Sequence, residues 1–135
     1  MKLNNGDIIR TRSKINPLYL HYGIVIKLDD NSSLIAHNPR NGSISLEKPE
    51  DFFKERNFDL ITETVNIPAS TLITRFQGLK SKQYDLYDYN CEDFINDMIG
   101  EKKYSYVKFS FWGIVILFAG IVLLLVIPVV NKEVV

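Results

Sequence analysis

Residues 109–130 read FSFWGIVILFAGIVLLLVIPVV, 22 positions without a charged side chain. As an α-helix this run would be about 33 Å long at 1.5 Å per residue, against a hydrocarbon core of about 30 Å. A helix apolar on every side needs lipid or a large body of protein around it. A chain of 135 residues has too little other structure to wrap one. The expectation is therefore one C-terminal transmembrane helix over 109–130, with a domain over 1–108 before it and a short tail over 131–135. Tyr104, Tyr106 and Trp112 sit at one end, where amphipathic rings favour the interface. Lys102, Lys103 and Lys108 precede the run and only Lys132 follows it. The positive flank predicts a single-pass membrane protein whose domain faces the cytoplasm.

The domain has other bounds. Sixteen basic and sixteen acidic residues leave no net charge, which argues against a nucleic-acid partner. The N-terminal stretch MKLNNGDIIRTR carries no apolar signal-peptide core and does not begin Met-Gly, so neither secretion nor myristoylation is expected. The single cysteine, Cys91, excludes an internal disulfide. No zinc-type Cys/His spacing occurs, and neither a metal nor a cofactor is expected.

Strand patterns come first along the chain: residues 7–11, the β-branched run 21–26, residues 32–37 and residues 44–47. Residues 49–56 read as a short helix with Phe52 and Phe53 facing inward, and residues 58–65 as a further strand. Two helices follow. Over 69–79 the apolar positions are Leu72, Ile73, Phe76 and Leu79; over 91–99 they are Phe94, Ile95 and Met98, with Gly100 as the stop. Strands followed by helices predict an α+β fold, a small antiparallel sheet with packed helices.

Chemistry concentrates at three residues. Asn90 is a good N-cap and Asp93 completes a capping-box pattern, which makes Cys91 the first residue of its helix. The positive end of the helix dipole predicts a lowered thiol pKa there. The only two histidines, His21 and His37, lie on adjacent strand patterns. A hairpin with residues 27–31 as its loop would pair Ile26 with Ser32 and His21 with His37, with Cβ atoms about 4.5–5.5 Å apart. That is the geometry of a base and its orienting partner. A metal held by the two histidines and Cys91 is an alternative for which no carboxylate has an obvious claim to complete the site.

Four stretches in this order resemble the lecithin:retinol acyltransferase-like proteins, which include the small phospholipase A/acyltransferases. They are Gly6-Asp7-Ile8-Ile9, His21-Tyr22-Gly23-Ile24-Val25-Ile26, His37-Asn38-Pro39, and Tyr84-Asp85-Leu86 leading to Asn90-Cys91-Glu92-Asp93-Phe94. The resemblance spans nearly all of 1–108. It departs from the family pattern at Asp93, where the family has histidine. What it implies is a circularly permuted papain-like fold of the NlpC type and a Cys-His-His triad. Cys91 would be the nucleophile, His21 the general base and His37 the residue that orients His21. The implied activity is a thiol hydrolase or acyltransferase that takes an acyl group from a phospholipid or another acyl lipid through a thioester. A papain-like peptidase or amidase is one alternative. A non-catalytic membrane adaptor that keeps only the fold is the other.

Overall fold

Strand β2, Leu20–Lys27, is buried along six consecutive residues, so it must be covered on both faces. In the computed structural model it is the middle strand of a five-stranded antiparallel sheet, in the order β4-β3-β2-β1-β5. The structure describes residues 1–30, 32–86, 88–102, 113–119 and 121. The chain divides into two units, Met1–Tyr104 and Ser105–Val135.

In the first unit the other strands are β1, Asp7–Ser13; β3, Ser33–His37; β4, Ser45–Glu47; and β5, Arg56–Thr64. The helices are α1, Pro49–Phe52; α2, Ala69–Leu79; and α3, Cys91–Ile99. Side chains alternate between the faces of a sheet. Ile8, Tyr22, Ile24, Ile26 and Ala36 fall on one face. There they meet Leu72 and Phe76 of α2 and Cys91, Phe94, Ile95 and Met98 of α3. Ile9, Val25 and Ile35 fall on the other, under Leu3 and Phe52. The fold is α+β, with helices on both faces of one antiparallel sheet.

Two glycines make this possible. Gly6 enters β1 at φ 82°, and a Cβ there would stand 2.0 Å from the Val65 carbonyl oxygen. Gly23 lets the Phe52 ring approach the sheet closely: a Cβ would meet Ile35 Cγ2 at 2.6 Å and Phe52 Cζ at 3.1 Å.

Three expectations are corrected. The β2–β3 hairpin has a five-residue loop, but over 28–32. Lys27 pairs with Ser33 and Gly23 with His37, so the register is displaced by one residue on each strand. Helix α1 ends at Phe52 instead of reaching residue 56. The chain after it is captured by β1, with Ser13 opposite Arg56, and sheet pairing outcompetes a further helical turn.

The third correction concerns the apolar run. Among the described residues no helix is long and apolar enough to cross a membrane. The helical residues described there are 113–119 and 121. The rest of the expected span over 109–130, its aromatic end and its lysine flank past Lys102 lie outside the described residues. The transmembrane helix, and the single-pass cytoplasm-facing placement built on it, do not stand.

Candidate functional site

His21 and His37 reach one another because the register shift preserves parity. Both sit on the Phe52 face of the sheet, diagonally across β2 and β3. His21 Nε2 and His37 Nδ1 are 2.9 Å apart. The rings meet edge-on, with centroids 5.1 Å apart and planes at 84°. Phe52 closes the other side, its ring centroid 5.0 Å from His37 and 6.0 Å from His21. Thr11, opposite His21 on β1, donates its hydroxyl to the His21 carbonyl at 3.2 Å.

The chain of polar contacts continues beyond His37. Its Nε2 lies 3.0 Å from Ser45 Oγ and 3.1 Å from Glu47 Oε1. Strand pairing accounts for both: β4 places Ser45 directly opposite His37 and Glu47 opposite Ile35, two residues along the same face. Arg56 Nη1 lies 3.9 Å from Glu47 Oε2 and donates to the Phe52 carbonyl at 2.9 Å.

Both histidines are buried, and burial penalises the imidazolium. His21 is lowered well below the ordinary histidine value, first by burial, then by the fields of His37 and Arg56. His37 is lowered to about 4, burial outweighing the opposite pull of Glu47. At neutral pH both rings are uncharged. His21 Nδ1 is buried and has no hydrogen-bond partner.

Cys91 is the first residue of α3. The Asn90 side chain accepts from Glu92 N at 2.8 Å and Asp93 N at 3.2 Å, and Asp93 Oδ2 accepts from Asn90 N at 3.0 Å. This is the capping box that the spacing predicts. The thiol, however, is pushed up to about 12 by burial, with the Glu92 charge adding to the rise. Backbone N–H groups of Tyr22, Cys91 and Glu92 pull the other way without prevailing. The expectation of a lowered thiol pKa at the helix end is thereby reversed. The dipole is present, but desolvation of a residue only 1 % exposed outweighs it.

The three residues predicted to form the site are therefore not equivalent in placement. His21 and His37 are hydrogen-bonded. Cys91 belongs to the core on the opposite face, and joins them through Tyr22, the residue after His21, whose backbone N–H meets the thiol. No hydrogen bond joins Cys91 to His21 Nδ1. Asn38, next to His37, ties the two halves by donating Nδ2 to the Tyr89 carbonyl at 3.2 Å, just before Cys91.

A cleft of about 440 Å³ opens onto His21, between Tyr19, Ile15, Pro39, Arg40 and Arg56. Cys91 is not among its lining residues. Tyr19 stacks on His21, with ring centroids 6.3 Å apart and planes at 19°. Arg40 lies over the Tyr19 ring at 5.7 Å. Burial raises the Tyr19 hydroxyl, and the nearby Tyr84 and Cys91 raise it further, so this side chain stands beside both the histidine and the thiol. Its Oη is buried and faces the Tyr84 side chain.

Sequence reasoning missed Ser45, Glu47, Tyr19 and Arg56. The one available signal was the Ser45-Leu46-Glu47 alternation, which puts two polar residues on the side that carries His37. Among the described residues no group of three His, Cys, Asp or Glu side chains is placed to hold a metal ion. No family model matches the chain, and no curated protein matches it.

Proposed function

We propose that this chain is a cysteine-dependent acyl hydrolase or acyltransferase acting on lipid acyl esters, with Cys91 as nucleophile, His21 as base and His37 orienting His21. The observation that carries the reading is His21 Nδ1. It is a buried ring nitrogen left without a partner, while Nε2 of the same ring is held by His37. A base needs one nitrogen fixed and the other open to a proton.

With thiol and imidazole both neutral at rest, the proton moves as the bond forms. At rest Cys91 and His21 Nδ1 are not hydrogen-bonded, so the step requires the thiol to move into reach of that nitrogen; Sγ then attacks the acyl carbonyl carbon while His21 Nδ1 takes the thiol proton. The carbonyl electrons move onto oxygen. Glu92 and Asp93 N–H are occupied by Asn90, so the oxyanion is assigned to the Cys91 N–H, which at rest faces the thiol. Collapse expels the alcohol, which carries away the proton from His21, and leaves a thioester. Water, an amine or a hydroxyl then attacks the thioester by the reverse sequence. The β1–β2 loop supports a lipid over a peptide: Ile15, which lines the cleft, is 92 % exposed, and Leu18 on the same loop is 88 % exposed. The resemblance to the lecithin:retinol acyltransferase-like proteins points the same way.

Cys91 burial favours a second reading, a protein that keeps the fold without the chemistry. One experiment separates them. The whole chain is incubated with a defined diacyl phospholipid in mixed micelles, then intact mass and peptide mapping are read. An acyl increment on Cys91 with released lysophospholipid, lost in Cys91→Ser, supports the enzyme. No adduct and no turnover above the Cys91→Ser level rejects it.

A further inference from the structure

Two imidazoles in series transmit a proton position. If His37 carries its proton on Nε2, its Nδ1 is an acceptor, so His21 must donate from Nε2 and keeps a lone pair on Nδ1. If His37 carries its proton on Nδ1, it donates to His21 Nε2, and the His21 proton is forced onto Nδ1. In the first state His21 is a base at Nδ1. In the second it is not.

The group that decides lies at the far end. Ser45 Oγ, 3.0 Å from His37 Nε2, either donates or accepts and is compatible with both states. Glu47 Oε1, 3.1 Å from the same nitrogen, belongs to a carboxylate, which only accepts. A lone pair on the buried His37 Nε2 would face the oxygen of a half-buried carboxylate at hydrogen-bond distance. A proton there makes a charge-assisted hydrogen bond instead. Arg56, 3.9 Å from the other carboxylate oxygen, keeps a positive charge beside Glu47 without touching the ring nitrogens.

We propose that Glu47 is a positioning residue: acting through His37, it fixes both histidines as Nε2–H tautomers and so creates the proton-accepting Nδ1 of His21. The role given to His21 rests on the function proposed above; the tautomer assignment does not.

Two-bond proton–nitrogen correlation spectra of the 15N-histidine-labelled full chain at pH 7.5 read the tautomers without substrate. In the wild type both rings are expected as Nε2–H. Glu47→Gln offers an amide that donates as readily as it accepts, and both rings are expected to shift together toward Nδ1–H. Glu47→Asp is expected to restore the wild-type pattern, and Ser45→Ala to leave it unchanged. A wild-type His37 protonated on Nδ1, a Glu47→Gln spectrum like the wild type, or a flip in Ser45→Ala overturns the proposal. In the acyl-transfer assay Glu47→Gln is expected to lower kcat by on the order of 10²-fold with KM unchanged, and Glu47→Asp to recover most of it. Expected spectra in a chain with no turnover would sink the enzymatic reading while leaving the tautomer assignment standing.

Discussion

His21 and His37 share a 2.9 Å hydrogen bond although they are not cross-strand partners: the residue opposite His37 is Gly23. The diagonal lets the rings meet edge-on, because the glycine between them on that face has no side chain. Phe52 fills the space it leaves.

Burial of this pair has a consequence for acid stability. Both imidazoles have folded pKa values below the unfolded value of about 6.5. Between that value and the folded ones the unfolded chain binds more protons, so stability rises with pH across the window. The contribution is complete above about 6.5 and is lost as pH falls toward about 4, the His37 value. Urea midpoints measured from pH 7.5 to pH 4 are expected to fall steeply. A His21→Gln/His37→Gln double variant should flatten the part of the slope below pH 6.5. An equal slope in that variant would show that other groups drive the acid transition.

The thiol behaves in the opposite direction. Cys91 has a folded pKa raised from about 9 to about 12, so its contribution is complete below about 9 and disappears as pH climbs through 12. In the native chain, iodoacetamide is expected to modify Cys91 slowly at pH 7.5. The rate should rise at least tenfold under denaturing conditions at the same pH, where the ordinary thiol pKa and full exposure return. Fast native labelling at pH 7.5 would mean that the site opens in solution.

Local signals made α3 readable from sequence: the Asn90 cap, the Asp93 capping partner, the Phe94–Ile95–Met98 stripe and the Gly100 stop all lie within eleven residues. Its bounds and capping box are those expected. What escaped depends on distant pairing. The five-residue hairpin loop fits at 27–31 or at 28–32. Moving it by one residue on each strand leaves every side chain on its face, so the two histidines share a face in either register while their partners differ. Glu47 reads as a solvated strand end until β4 pairs with β3. The helix dipole at Cys91 is a sequence-level fact. The burial that overrides it arises from α2, α3 and Tyr22 closing together, which no local pattern encodes. The 109–130 run shows the same limit from another side: its composition suits a span, and among the described residues no helix of that length is found.

Gly23 tests the packing beneath the histidines. Gly23→Ala places a methyl 2.6 Å from Ile35 Cγ2 and 3.1–3.2 Å from two Phe52 ring carbons. Both neighbours are fully buried, so the strain cannot be relieved at the surface. A loss of about 1–3 kcal/mol in unfolding free energy is expected from denaturant titration. Phe52 must also shift, and the His37 ring proton shifts should change, since they sense the ring at 5.0 Å. A neutral Gly23→Ala with unchanged His37 signals would contradict the tight fit.

Asn90 joins stability to the site more directly. Its Oδ1 accepts from Glu92 N and Asp93 N, and its Nδ2 donates to the Leu86 carbonyl at 3.2 Å. Asn90→Ala removes all three and is expected to cost about 1–2 kcal/mol, typical of a lost N-cap. Asn90→Ser keeps a capping oxygen but not the tie to Leu86, so it should recover the helix and leave the preceding loop looser. If the tie matters for placing Cys91, Asn90→Ser will show near-wild-type stability with faster native thiol labelling. Equal labelling in Asn90→Ser and wild type would assign Asn90 to helix capping alone.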